Sequence, residues 1–105
     1  MRYYRYLYVG SGIKNLEKTK RDLNSHKGFI NLYVIGLNPV SGLLEIINTN
    51  YLKIPYYRKH SPIVIGVTYG YDEALKIVES IVKESITCSG NANIKDYLIK
   101  RVKNA

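Results

Sequence analysis

One short segment combines the residue types that most often form a binding surface. It carries two tyrosines followed by three basic side chains: Tyr56, Tyr57, Arg58, Lys59 and His60. Exposed rings beside cations can stack on nucleobases and pair with phosphates, and they also anchor protein interfaces. The same pattern is found in loops whose tyrosines fold over the edge of a sheet. We predict a binding site here, and the sequence leaves the structural alternative open.

A second segment could bind an anion. The corner Gly10-Ser11-Gly12 is followed by Lys14, and a second corner at residues 68–71 ends in Tyr71. If the strands before the two corners run parallel, both corners lie at the carboxyl edge of the sheet, where ligands of open sheets often bind. The structural alternative is a tight turn in which glycine supplies a positive φ.

The acidic residues favour a structural role over catalysis. Asp72 and Glu73 open a predicted helix, where carboxylates stabilise the positive end of the helix dipole. If this edge carried out chemistry, Asp72 or Tyr71 would be the first residue to test as an acid or base.

Metal and cofactor chemistry have little support in this sequence. His26 and His60 lie far apart, and the single Cys88 has no Cys or His at ligand spacing. We therefore expect neither a metal site nor a cofactor. The N-terminus lacks an apolar signal segment and no stretch is long enough to span a bilayer, so the expectation is a cytoplasmic protein without membrane contact.

Positive charge is concentrated in the first part of the chain. The net charge is +8, and residues 1–60 carry ten Lys and Arg against three acidic residues, while residues 61–105 carry six against five. Such a balance is typical of proteins that bind nucleic acid or another polyanion. The chain is also rich in residues with A/T-rich codons, with 13 Ile, 11 Lys, 9 Asn and 11 Tyr. An A+T-rich bacterial genome is an equally good explanation of the charge.

The secondary structure that positions these segments is best predicted at one junction, where an apolar run passes into a helix. Residues 63–67 (Ile-Val-Ile-Gly-Val) read as a strand buried on both faces. After the corner, Ala74, Leu75, Val78, Ile81 and Val82 recur at helical spacing, which predicts an amphipathic helix packed against the sheet. This helix should fade near Thr87.

The remaining segments predict three further strands and two further helices. Residues 3–9, 29–37 and 43–51 read as strands, the last two joined by a turn at residues 38–42. A helix should follow residue 12 and end near Gly28, residues 54–62 should form a loop, and Asn93 should cap a terminal helix.

These elements predict one α+β domain over residues 1–105. The order is β-α-β-β-β-α-α, with helices packed on a four-stranded mixed sheet. A right-handed crossover would make the first two strands parallel neighbours, and the hairpin would place the third strand beside the second. The buried fourth strand would then lie beside the first, which gives the order 3-2-1-4.

Three classes of function fit this sequence. The first is a non-enzymatic interaction domain that binds a protein partner or a second copy of itself. It is supported by more tyrosines than one small core needs and by an edge strand that is available for pairing. The alternative is a domain that binds nucleic acid or another polyanion. The third is a small enzyme with a site at the carboxyl edge of the first and fourth strands.

Overall fold

The computed structural model describes residues 1–25, 29–91 and 93–103. These residues form one four-stranded mixed sheet with helices on both faces, which confirms the predicted α+β class. The strands are β1 (Arg2–Val9), β2 (Leu32–Leu37), β3 (Leu44–Asn48) and β4 (Ile63–Tyr69).

The helices form two layers. One face of the sheet is covered by α1 (Leu16–Asn24), a 3-10 helix (Thr49–Lys53) and the short α2 (Pro55–Lys59). The other face is covered by α3 (Tyr71–Ser89) and α4 (Ile94–Lys103). No described helix is both long enough and apolar enough to cross a bilayer.

The strand order differs from the predicted one. The sheet runs β1-β4-β2-β3, with β1 parallel to β4 and β2 antiparallel to both β4 and β3. The predicted neighbours β1 and β4 are therefore correct, and so is the β2–β3 hairpin. The order 3-2-1-4 is wrong, and so is the parallel pairing of β1 with β2, because β4 separates these two strands.

The apolar character of β4 explains its interior position. Val64, Ile65 and Val67 are almost completely buried; Val64 and Val67 belong to the core on one face of the sheet and Ile65 to the core on the other. A strand covered on both faces is most stable between two partners, which satisfy its backbone groups on both sides. At the edge, as the predicted order requires, half of these groups would lack strand partners.

Local hydrogen bonds set the ends of several elements. The third strand stops at Asn48, three residues before the predicted end, because the Asn48 side chain accepts from the Asn50 N–H (2.9 Å) and starts the 3-10 helix. Helix α1 ends at Asn24, while Gly28, the predicted end, lies outside the described residues. The predicted cap of α4 is confirmed, since the Asn93 side chain accepts from the Asp96 N–H at 3.1 Å.

Candidate functional site

The segment at residues 56–60 lines an open cleft on the surface of the chain. This cleft has a volume of about 470 Å³ and lies beside α2, at the end of the sheet where β4 begins. Its walls also include the β2–β3 turn and the start of β1. The lining residues are Arg2, Asn38, Pro39, Val40, Glu45, Tyr56, Tyr57, Lys59, His60, Ser61 and Pro62.

The predicted loop at residues 54–62 is in fact partly helical. Pro55 occupies the first turn of α2, where its fixed φ suits a helix and its missing N–H costs no hydrogen bond. The helix is one turn long, and the His60 N–H closes it on the Tyr56 carbonyl at 2.8 Å. The helical backbone brings residues 56, 57 and 60 onto one side, as i, i+1, i+4 spacing requires.

The rings of this side pack on one another. The Tyr56 ring meets the Tyr57 ring edge-on, with centroids 5.1 Å apart, and lies 4.9 Å from the His60 ring. Tyr57 is half-buried against the core, whereas Tyr56 remains exposed. Burial raises the pKa of Tyr57, and the neighbouring Glu45 carboxylate raises it further. Tyr57 therefore stays neutral and forms a fixed part of the cleft wall. The Tyr56 ring can contact a ligand because it is exposed.

The charges of the cleft are mainly positive. Arg2 and Lys59 line it together with one carboxylate, Glu45. Of the five predicted binding residues, Tyr56, Tyr57, Lys59 and His60 lie in the lining, whereas Arg58 is exposed and lies outside it. Arg2 and Glu45 come from distant parts of the sequence, and no local pattern marks them as part of this site.

The carboxyl edge of β1 and β4 has the predicted geometry but a smaller concavity. Because β1 and β4 are parallel, both corners lie at this edge, and the Gly10 N–H donates to the Val67 carbonyl at 2.9 Å. A concavity of about 220 Å³ is lined by Gly12, Lys14 and residues of α1. In the described part of the chain, neither Ser11 nor Tyr71 contributes to this lining.

Tyr71 and the carboxylates beside it have structural contacts. The Tyr71 ring packs edge-on against Tyr33, with centroids 5.7 Å apart. Asp72 and Glu73 lie in the first turn of α3, and the Glu73 carboxylate pairs with Lys76 at 3.4 Å. These positions agree with the helix-stabilising role predicted for the carboxylates.

A hydrogen-bonded cluster between β1, α3 and α4 was not anticipated from the sequence. The Glu84 carboxylate accepts from the hydroxyls of Tyr8 (2.8 Å) and Tyr97 (2.9 Å), and Arg101 donates to the Tyr8 hydroxyl at 2.6 Å. The Arg101 guanidinium also lies over the Tyr6 ring, 5.2 Å from its centroid. Only the i, i+4 spacing of Tyr97 and Arg101 is visible in the sequence, since the other contacts depend on the tertiary fold.

The tyrosines of this cluster are neutral, and the hydrogen bonds of the cluster link α4 to α3 and to β1. Burial, followed by the hydrogen bond to Glu84, raises the pKa of Tyr97 to about 12 and raises that of Tyr8 even further. Hydroxyls that remain protonated and donate to a carboxylate cannot act as bases near neutral pH.

We expect the free energy of unfolding to fall as the pH rises above 10. The folded state holds the Tyr8 and Tyr97 protons more tightly than the unfolded chain, so their stabilisation is complete below pH 10 and is lost toward pH 12 and above. Urea unfolding at pH 9, 10 and 11 measures this slope. Tyr97→Phe should flatten it, while Tyr51→Phe, at an exposed site, should not. A wild-type slope in Tyr97→Phe would contradict the assignment.

The remaining chemistry-bearing residues do not form a centre. Within the described residues, no group of three His, Cys, Asp or Glu side chains could hold a metal ion. Cys88 is exposed near the end of α3, and His26 lies outside the described residues.

Comparisons with known proteins add no relative to this description. No known protein family, no curated protein and no solved structure matches the chain.

Proposed function

We propose that this protein is a non-enzymatic interaction domain whose α2 cleft binds an extended segment of a protein partner. The main support for the proposal is that one open cleft is lined by three aromatic rings and two cations. These are the rings of Tyr56, Tyr57 and His60 and the side chains of Arg2 and Lys59. Aromatic and arginine side chains are the residues most enriched at the energetic centres of protein interfaces. The volume of about 470 Å³ also lies within the range of ligand-binding clefts.

The lining indicates the character of the partner segment. Val40, at the rim, is 93% exposed, so an apolar contact surface adjoins the rings. Arg2 and Lys59 outnumber the one carboxylate of the lining, and charge complementarity then favours a partner with acidic residues. A segment with an aliphatic or aromatic side chain flanked by Asp or Glu matches both features.

A second copy of the chain is one form that this partner could take. Strands β1 and β3 each pair on one side only, and unpaired strand edges support association through added strands. Leu43 and Val40 are exposed on the hairpin that carries one of these edges. Light scattering coupled to size exclusion, from micromolar to millimolar protein, distinguishes self-association from binding of a different protein.

We expect peptides selected from a random twelve-residue display library to depend on the cleft cations. Combined substitution of Arg2 and Lys59 by alanine should weaken the selected peptides at least about ten-fold, as loss of charged contacts at a binding centre does. Fluorescence anisotropy with labelled peptides measures the effect. Lys53→Ala is the matched control, because Lys53 is exposed at the end of the 3-10 helix and lies outside the cleft lining. Equal affinity for the double variant and wild type would contradict the proposal.

Binding of single-stranded nucleic acid is the second candidate. The ring and cation pair Tyr56 and Lys59 suits base stacking with phosphate contact, and residues 1–60 hold most of the net charge. A labelled random 15-mer should then bind with a logarithm of affinity that falls linearly with the logarithm of salt. No binding at 20 mM salt would exclude this candidate.

The cellular setting that we propose is the bacterial cytoplasm. It rests on the single cysteine, which forms no internal disulfide, and on the abundance of residues with A/T-rich codons.

An enzymatic role is the third candidate, and its support is the small concavity at the carboxyl edge of β1 and β4. The charged groups of its lining are Lys14, Lys18 and Asp22.

A further inference from the structure

The face of the sheet that is covered by α3 and α4 carries a second groove, which is not part of the α2 cleft. It runs between α4 and the strands β1, β2 and β4, and its volume is about 290 Å³. The α2 cleft lies against the opposite face, and the two sites share no lining residue. Aliphatic side chains form the groove: Leu37, Ile63, Ile65, Leu98, Ile99 and Val102.

The polar groups around this groove leave its interior apolar. The Tyr4 ring forms part of the wall, and its hydroxyl already donates to the Leu98 carbonyl at 2.8 Å. Ile65 and Leu98 are buried at the floor. Water in such a groove finds few hydrogen-bond partners, which favours its replacement by an apolar ligand.

One cation completes the lining. Lys103, in the last turn of α4, contributes to the wall, and within residues 1–25, 29–91 and 93–103 no carboxylate pairs with it. Lys100, one turn earlier, is already paired with Asp96 at 3.1 Å. An aliphatic groove with an ammonium group at its wall matches a ligand that has an alkyl chain and one terminal anion.

We propose that this groove binds a medium-chain fatty acid, with the alkyl chain along α4 and the carboxylate at the Lys103 ammonium. A cavity of about 150 Å³ accommodates one benzene ring. A groove of about 290 Å³ is therefore large enough for an alkyl chain of about ten carbon atoms. Decanoate is the probe of matching length, and it is used below its micelle concentration.

A series of chain lengths tests the fit. We expect calorimetric titration of the full chain to show one site, with Kd falling about four-fold for each methylene from hexanoate to decanoate, as burial of methylene groups predicts. Dodecanoate should gain little over decanoate because the groove is then full. Nuclear magnetic resonance shifts should centre on α4 and Ile63. Absence of saturable decanoate binding, or a Kd independent of chain length, would overturn the proposal.

Two substitutions separate the roles of the alkyl chain and the carboxylate. Val102→Phe should fill the groove and weaken decanoate at least about ten-fold. Lys103→Gln should weaken decanoate about two- to five-fold, the range of exposed ion pairs, and leave decanol unchanged. Lys83→Gln, on the exposed side of α3, is the matched control and should bind decanoate as wild type does.

Other outcomes count against the proposal. Unchanged binding in Val102→Phe, or equal losses of decanoate and decanol in Lys103→Gln, would contradict the assigned positions of chain and carboxylate. A dimer in light scattering, together with no saturable decanoate binding, would identify a second copy as the occupant of the groove. If Val102→Phe fails to fold, the comparison of decanoate with decanol in Lys103→Gln decides the question alone.

Discussion

Replacing Ile65 by alanine should lower the free energy of unfolding by about 2–5 kcal/mol. Ile65 is 0% exposed at the centre of β4, and it packs in the cluster beneath α3 and α4. The substitution removes three carbon atoms from a buried site between the sheet and two helices. The surrounding side chains can refill such a cavity only in part, so the lost contacts add to the lost transfer free energy.

Arg58→Ala is the control for this prediction. Arg58 lies on the outer side of α2 and is exposed, so its removal should change the free energy of unfolding by no more than about 0.5 kcal/mol. Urea denaturation of both variants, monitored by circular dichroism, measures the difference. Similar, small effects for the two variants would contradict the interior position of β4.

The identity of β4 could be predicted from the sequence, but its neighbours could be predicted only in part. Five successive residues without a charged side chain indicate a strand covered on both faces, and residues 63–67 are such a strand. The strand order 3-2-1-4 follows if the β1-α1-β2 connection is a crossover between neighbouring strands. That order puts β4 at an edge, which conflicts with its apolar character. The burial pattern was the stronger indicator, and it agrees with β4 between β1 and β2.

The candidate site shows the same limit. The ring and cation pattern at residues 56–60 marks part of the α2 cleft, because its members are neighbours in sequence. Arg2 and Glu45 reach the cleft through the pairing of β1 with β4 and of β3 with β2. The helical form of the segment depends on Pro55 and on packing of Tyr57 against the core. The hydrophobic periodicity of the sequence cannot reveal this helix, since one turn is too short to produce a repeat.

Glycine at position 10 has a different structural reason from the one predicted. Within the described residues, the glycines with positive φ are Gly42, Gly70 and Gly90, so neither Gly10 nor Gly12 needs the left-handed region. Gly10 instead lies against the buried Thr68 of the neighbouring strand. The corner after β1 is thus held by a close backbone approach to β4, which brings the two carboxyl ends together.

Replacing Gly10 by alanine should therefore lower the free energy of unfolding by about 1–3 kcal/mol or more, the cost of overpacking an enclosed site. The added Cβ would overlap the Thr68 hydroxyl and lie 2.5 Å from the Thr68 Cβ, and Thr68 cannot move away because it is fully buried. At Gly12 the added Cβ meets Tyr69 at an ordinary 3.5 Å, so Gly12→Ala should be neutral or slightly stabilising. Thermal and urea unfolding compare the two variants. If both lose the same stability, the contact with Thr68 is not what requires glycine at position 10, and chain flexibility at the corner would be the better explanation.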